Sequence, residues 1–217
     1  MIHSVRLVLI LLMIVPVTSG RGEASDVALA STVLVTAPTP NGTAYAAGVI
    51  VREDTNLFVL TARHVAETKN LTIVTSAGER IRVQNVQFLP GRDLALLQTT
   101  AALRRYSTPR LAAATQSKRD IYLWGFPEST TPTRSVGSIL NLSPIIPDGE
   151  ANGRFTIACE SCNHGDSGSG VFTNDGRLVG ILTAAWKNQV GVVRMIVAEP
   201  ALAALSALAP EAVTASR

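Results

Sequence analysis

One local pattern repeats along most of this chain: a short run rich in Val, Ile, Leu and Thr, then a cluster of turn formers. The runs fall over residues 31–36, 44–52, 57–61, 71–75, 81–88 and 93–99. They are punctuated by Pro40-Asn41-Gly42, Asp54-Thr55-Asn56, Ala77-Gly78 and Pro90-Gly91. A second set covers residues 121–126, 134–142, 155–158, 170–173, 178–184 and 190–197, with Asn174-Asp175-Gly176 as a strong hairpin signal. Strands recurring roughly every 8–12 residues leave no room for crossover helices. The pattern therefore predicts an all-β sandwich or barrel rather than βαβ units. Residues 100–120 are polar and Ala-rich and read as a surface connector. Ala and Leu at helical spacing over residues 199–208, including Pro200, predict a short C-terminal helix.

Composition narrows the function classes. The 217 residues are 47% apolar and 16% charged, which excludes a disordered chain. The net charge is only +3, the basic residues are scattered and aromatics make up 5%. A nucleic-acid partner is therefore not expected, because both a phosphate-binding stripe and a stacking platform are lacking.

Residues 7–17 read LVLILLMIVPV, after Arg6 and before Thr18, Ser19 and Gly20. A bilayer-spanning helix needs about 20 apolar residues, so the run better fits the apolar region of a secretory signal peptide. The expectation is a leader over residues 1–22, cut between Ser19 and Ala24, an exported mature protein and no stable membrane insertion. An uncleaved anchor is the alternative. Removal of His3 leaves two histidines, His64 and His164.

Three motifs carry the chemistry. Leu60-Thr61-Ala62-Arg63-His64-Val65 ends a β-run in a histidine. Arg92-Asp93-Leu94-Ala95-Leu96-Leu97 opens an apolar run with an aspartate. Gly165-Asp166-Ser167-Gly168-Ser169-Gly170 sets a serine in a glycine-rich loop. Each is commonplace alone. Together they meet the needs of acyl transfer by serine. A hydroxyl is a weak nucleophile without an adjacent base. The base needs an acceptor on its other nitrogen to fix its tautomer. The developing oxyanion needs backbone N–H donors aimed at one point by a tight turn. The order His, Asp, Ser also differs from the subtilisin and α/β-hydrolase orders.

With these motifs the sequence resembles the trypsin-like (chymotrypsin-fold) serine proteases of the PA clan, of the bacterial single-domain kind. The likeness runs from about residue 30 to 197 and rests on TARHV, DLALL and GDSGSG, with looser support from Val179-Gly180-Ile181-Leu182-Thr183 and Gly191-Val192-Val193. It implies two six-stranded Greek-key barrels with the active site between them. The peptidase domain would cover residues 28–198: a first barrel over 28–100, a connector over 101–119 and a second barrel over 120–198. A helix and tail would follow over 199–217. It further implies Ser167 as nucleophile, His64 as base and then acid, and Asp93 as its orienting partner. The N–H groups of Gly165 and Ser167 would form the oxyanion hole, and no cofactor or metal is needed. Thr183 and Ala185 would lie on the strand that pairs with substrate. Ser161 would sit at the base of the specificity pocket, with Ala185 and Gly191 on its walls. With no carboxylate at that base, a small-to-medium apolar preference is expected; a shift of the alignment by a residue or two is the competing possibility.

The departures are informative. No Ile-Val-Gly-Gly-like start is present, so Asp166 needs a partner other than a new N-terminus, either an arginine or a backbone donor. The chain ends soon after the second set of strands, and no PDZ domain of the HtrA type is expected. His164 reads as a loop residue at the pocket rim. Cys159 and Cys162, the only cysteines, form a C-x-x-C pair that admits a disulfide, free thiols or, with His164, an incomplete metal site. In an exported protein the disulfide is the expected state. The function expected is an exported serine endopeptidase acting on a protein or peptide. The alternatives are an inactive protease-like peptide-binding module and a narrow processing protease for one partner.

Overall fold

The structure, a computed structural model, describes residues 27–53, 56–99, 103, 106–112, 119–127, 129–141, 155–187 and 194–200. The predicted leader, Gly191, most of the connector and the predicted terminal helix lie outside them, apart from Glu199 and Pro200, which end the last strand.

The first barrel is built from β1 (Thr32–Thr39), β2 (Gly42–Glu53), β3 (Asn56–Ala62), β4 (Thr72–Val74), β5 (Arg80–Phe88) and β6 (Leu94–Thr99). The second is built from β7 (Asp120–Gly125), β8 (Thr133–Asn141), β9 (Phe155–Ala158), β10 (Gly170–Thr173), β11 (Leu178–Lys187) and β12 (Arg194–Pro200). All pairings between them are antiparallel. The orders around the two closed barrels are β1-β2-β3-β6-β5-β4 and β10-β11-β12-β9-β8-β7. In each, three hairpin-connected strands are followed by a fourth that returns beside the first, the Greek-key arrangement. The two barrels thus share one topology.

The apolar runs look continuous in the sequence because many strands bury both faces. In β2, Ile50 points into the first barrel, beside Val33, Val59 and Leu97. Val49 and Val51 point the other way, into a cluster that also holds Leu60, Leu94 and Leu96. The same cluster takes Tyr122, Phe172, Leu178 and Ile181 from the second barrel, with the Tyr122 and Phe172 rings stacked at 5.6 Å. One strand face therefore fills a barrel and the other welds the two barrels together, following the two-residue period of a strand. The second barrel is filled by Leu123, Ile139, Phe155, Ile157, Val171 and Leu182 among others. Among the described residues no helix is long and apolar enough to cross a membrane.

Candidate active site

β3 and β6 are antiparallel neighbours, with Ala62 opposite Leu94. The residues just past the end of β3 and just before the start of β6 therefore meet at one rim of the barrel. His64 lies in the helical turn Arg63–Ala66 that follows β3, and Asp93 lies immediately before β6. Three hydrogen bonds join Asp93 to the helical turn, two of them to His64. The Arg63 N–H donates to the Asp93 carbonyl at 3.0 Å, the His64 N–H donates to Asp93 Oδ1 at 3.0 Å, and His64 Nδ1 lies 2.9 Å from Asp93 Oδ2. A carboxylate on Nδ1 keeps the proton there and leaves Nε2 as the acceptor. The same bond raises the imidazole pKa above its ordinary 6.5, against the opposing effect of burial.

Ser167 sits in the loop between β9 and β10. Two glycines let the loop turn tightly: Gly165 has φ +95 and Gly168 has φ +84. The N–H groups of Asp166, Gly168 and Ser169 are taken, by the carbonyls of Asn163 (3.2 Å), Leu182 (2.7 Å) and Asp166 (2.9 Å). Those of Gly165 and Ser167 donate to no group among the described residues. Two unspent donors thus flank the serine.

The first barrel holds this loop from the far side. The Ala47 N–H in β2 donates to the Ser167 carbonyl at 2.8 Å. Thr61 Oγ1 donates to the Ala47 carbonyl at 2.7 Å. A Cβ on Gly168 would stand 2.0 Å from that carbonyl and 2.3 Å from Thr61 Oγ1, so the fit between barrels requires glycine there. His64, Ser167, Gly165 and His164 line one cavity of about 490 Å³, with His164 exposed at its edge.

Asp166 is 1% exposed. Its partner is a backbone donor: Asn163 N–H reaches Oδ2 at 2.8 Å. Burial pushes its pKa up, and the Asn163 bond works against that. The other carboxylate oxygen packs so closely on β7 that a Cβ on Gly125 would lie 2.0 Å from it. Cys159 and Cys162 form a disulfide. Both sulfur-bearing side chains point into the second barrel, which turns the two residues between them outward. Ser161 is accordingly exposed and lines a second cavity of about 670 Å³, with Asp120, Val136, Ser138, Glu160 and Asn174. It does not share the cavity of His64 and Ser167. Thr183 is buried in β11, and Ala185 pairs with Ile196 of β12. Among the described residues no group of three or more His, Cys, Asp or Glu is placed to hold a metal ion.

A family model described as a trypsin-like peptidase domain matches residues 46–181, the stretch that contains all three motifs. The chain belongs to the trypsin-like peptidases. Solved structures of the same architecture include an HtrA-type protease, AlgW, with a tripeptide, at TM-score 0.71 and 21% identity, covering 86% of this chain and 61% of that one. Another is the active form of the Rv3671c protease from M. tuberculosis, at TM-score 0.69 and 19% identity, covering 86% and 84%. The inactive form of Rv3671c protease gives TM-score 0.65 and 18% identity, covering 85% and 89%. This trypsin-like peptidase thus spans less than two thirds of the AlgW chain. No curated protein sequence matches it.

Sequence reasoning missed the residues that act through their main chain. Ala47, Asn163 and Gly125 hold the serine loop by an amide, an amide and the lack of a side chain. Ala47 has no signature in a sequence. Gly125 has one, a glycine closing an apolar strand, which marks close approach by another group.

Proposed function

We propose that the protein is an exported serine endopeptidase that hydrolyses peptide bonds through an acyl-enzyme. Ser167 attacks the carbonyl carbon while His64 Nε2 takes its proton. Asp93, bonded to Nδ1, keeps the imidazole in the correct tautomer and stabilises the imidazolium. The N–H groups of Gly165 and Ser167 receive the oxyanion. His64 then gives its proton to the departing amine. Water attacks the resulting ester by the reverse sequence of proton transfers.

The observation that carries this reading is the pairing of two unspent N–H donors around Ser167 with an Asp93-oriented imidazole on the wall of the same cavity. A peptide substrate agrees with the tripeptide held by the AlgW neighbour. It also agrees with β11, which leaves the Ser167 loop at Leu182 and runs on to Lys187 paired with β12. An extended peptide would lie along that strand near Thr183 and Ala185, as in other cases of strand addition. Export is supported by the disulfide and by the apolar run at the start of the sequence.

Labelling of the purified protein with a fluorophosphonate, beside a Ser167→Ala control, tests the proposal. A Ser167-dependent adduct is expected. Absence of an adduct would leave a peptide-binding module without catalysis.

A further inference from the structure

The cavity that contains His64 and Ser167 extends away from β11. Its remaining walls come from the β1–β2 hairpin and from the chain that follows His64, chiefly Ala37, Tyr45, Ala46, Val65 and Leu71. The hairpin carries small side chains there, with Ala37 opposite Ala44, and one large one, Tyr45, opposite Thr36. Ala37, Ala46 and Leu71 are buried, whereas Tyr45 remains 37% exposed at the edge. Among the described residues no carboxylate, lysine or arginine lines the cavity. At about 490 Å³ it is of the size that holds small ligands.

Proton chemistry identifies which half of a substrate reaches it. His64 must protonate the departing nitrogen, so the leaving half lies beside the imidazole and the acyl half lies along β11. The cavity is walled by the imidazole, by Val65 and Thr68 just after it, and by the hairpin, with no contribution from β10 or β11. We propose that it is an apolar leaving-group pocket in which Tyr45 and Leu71 select bulky, uncharged side chains immediately after the scissile bond. A charged side chain would lose hydration there, and apart from the two imidazoles the wall offers it no charged partner. This inference rests on the serine-peptidase reading above.

Acyl transfer isolates that half of the site. An ester substrate loads Ser167, and an added amine then competes with water. The amine nitrogen bonds to the acyl carbon, the ester bond to Ser167 Oγ breaks, and His64 carries the amine proton to Oγ. Leucinamide, phenylalaninamide, glycinamide and aspartic acid amide are compared by the ratio of aminolysis to hydrolysis. The expected result is at least about tenfold better capture by the leucine and phenylalanine amides, falling to about twofold in Tyr45→Ala. A thermal melt and fluorophosphonate labelling report whether that variant is folded. Equal capture of all four amines, or preference for the aspartate amide, would overturn the pocket. An unchanged preference in folded Tyr45→Ala would overturn the role of Tyr45. If the wild type is labelled at Ser167 yet shows no amine preference, only the pocket fails. If it is not labelled, the underlying reading fails too.

Discussion

Asn163 and Asp166 hold each other at both ends: the Asn163 N–H donates to the Asp166 carboxylate at 2.8 Å, and the Asp166 N–H donates to the Asn163 carbonyl at 3.2 Å. This pair closes the turn that contains Gly165, one of the two proposed oxyanion donors. Asp166→Ala removes the acceptor and is expected to lower kcat by up to about 100-fold, the scale of losing one such donor, with KM little changed. Asp166→Asn keeps an oxygen for the Asn163 N–H and should restore most of that loss. Steady-state kinetics on both variants decide it. Equal losses would show that the charge matters rather than the turn.

The buried Asp166 also makes stability depend on pH. Its folded pKa lies above the ordinary 3.8, chiefly through burial. The folded state then binds the proton more tightly than the unfolded chain does. Its contribution is complete below 3.8 and is lost as pH rises through the higher folded value. Urea unfolding across the acid range should show this fall in the wild type relative to Asp166→Asn.

The proposed triad predicts large kinetic effects. Ser167→Ala or His64→Ala should lower kcat by about 10⁶, and Asp93→Asn by about 10⁴. Losses of only tenfold would mean that the roles are wrongly assigned.

The His64–Asp93 bond sets the acid side of the pH–rate profile. The proposed mechanism needs neutral His64, whose pKa the Asp93 bond raises above 6.5. The rise of kcat/KM with pH should therefore be centred above 6.5, and Asp93→Asn should move it to lower pH. The same pair stabilises the fold below 6.5, and that contribution fades as pH rises through the folded value.

Gly168→Ala places a methyl group against the Ala47 carbonyl and forces alanine to φ +84. A loss of about 2 kcal/mol or more is expected in urea unfolding. Fluorophosphonate labelling should fall with it, because the residue beside Ser167, the proposed nucleophile, must shift.

Much of this architecture is legible in the sequence, for a definite reason. Val49, Ile50 and Val51 are all apolar because alternate residues fill a barrel and the seam between barrels, so the runs stand out from the intervening turns. His64 and Asp93 are legible because they sit where apolar runs stop and start. The helical turn that carries His64 is not legible, since its N-cap is Ala62 and no side chain caps it. Ser161, expected at the base of the specificity pocket, is exposed beside two inward-facing cysteines and lines a separate cavity. That outcome depends on a covalent bond the spacing alone left open.

The hydrogen bond from Ala47 to Ser167 is made entirely of peptide groups. Substitution at either position leaves the amide and the carbonyl in place, proline at 47 excepted. The joint that fixes Ser167 to the opposite barrel therefore needs no particular side-chain chemistry at either residue, only the room that a buried alanine leaves at 47.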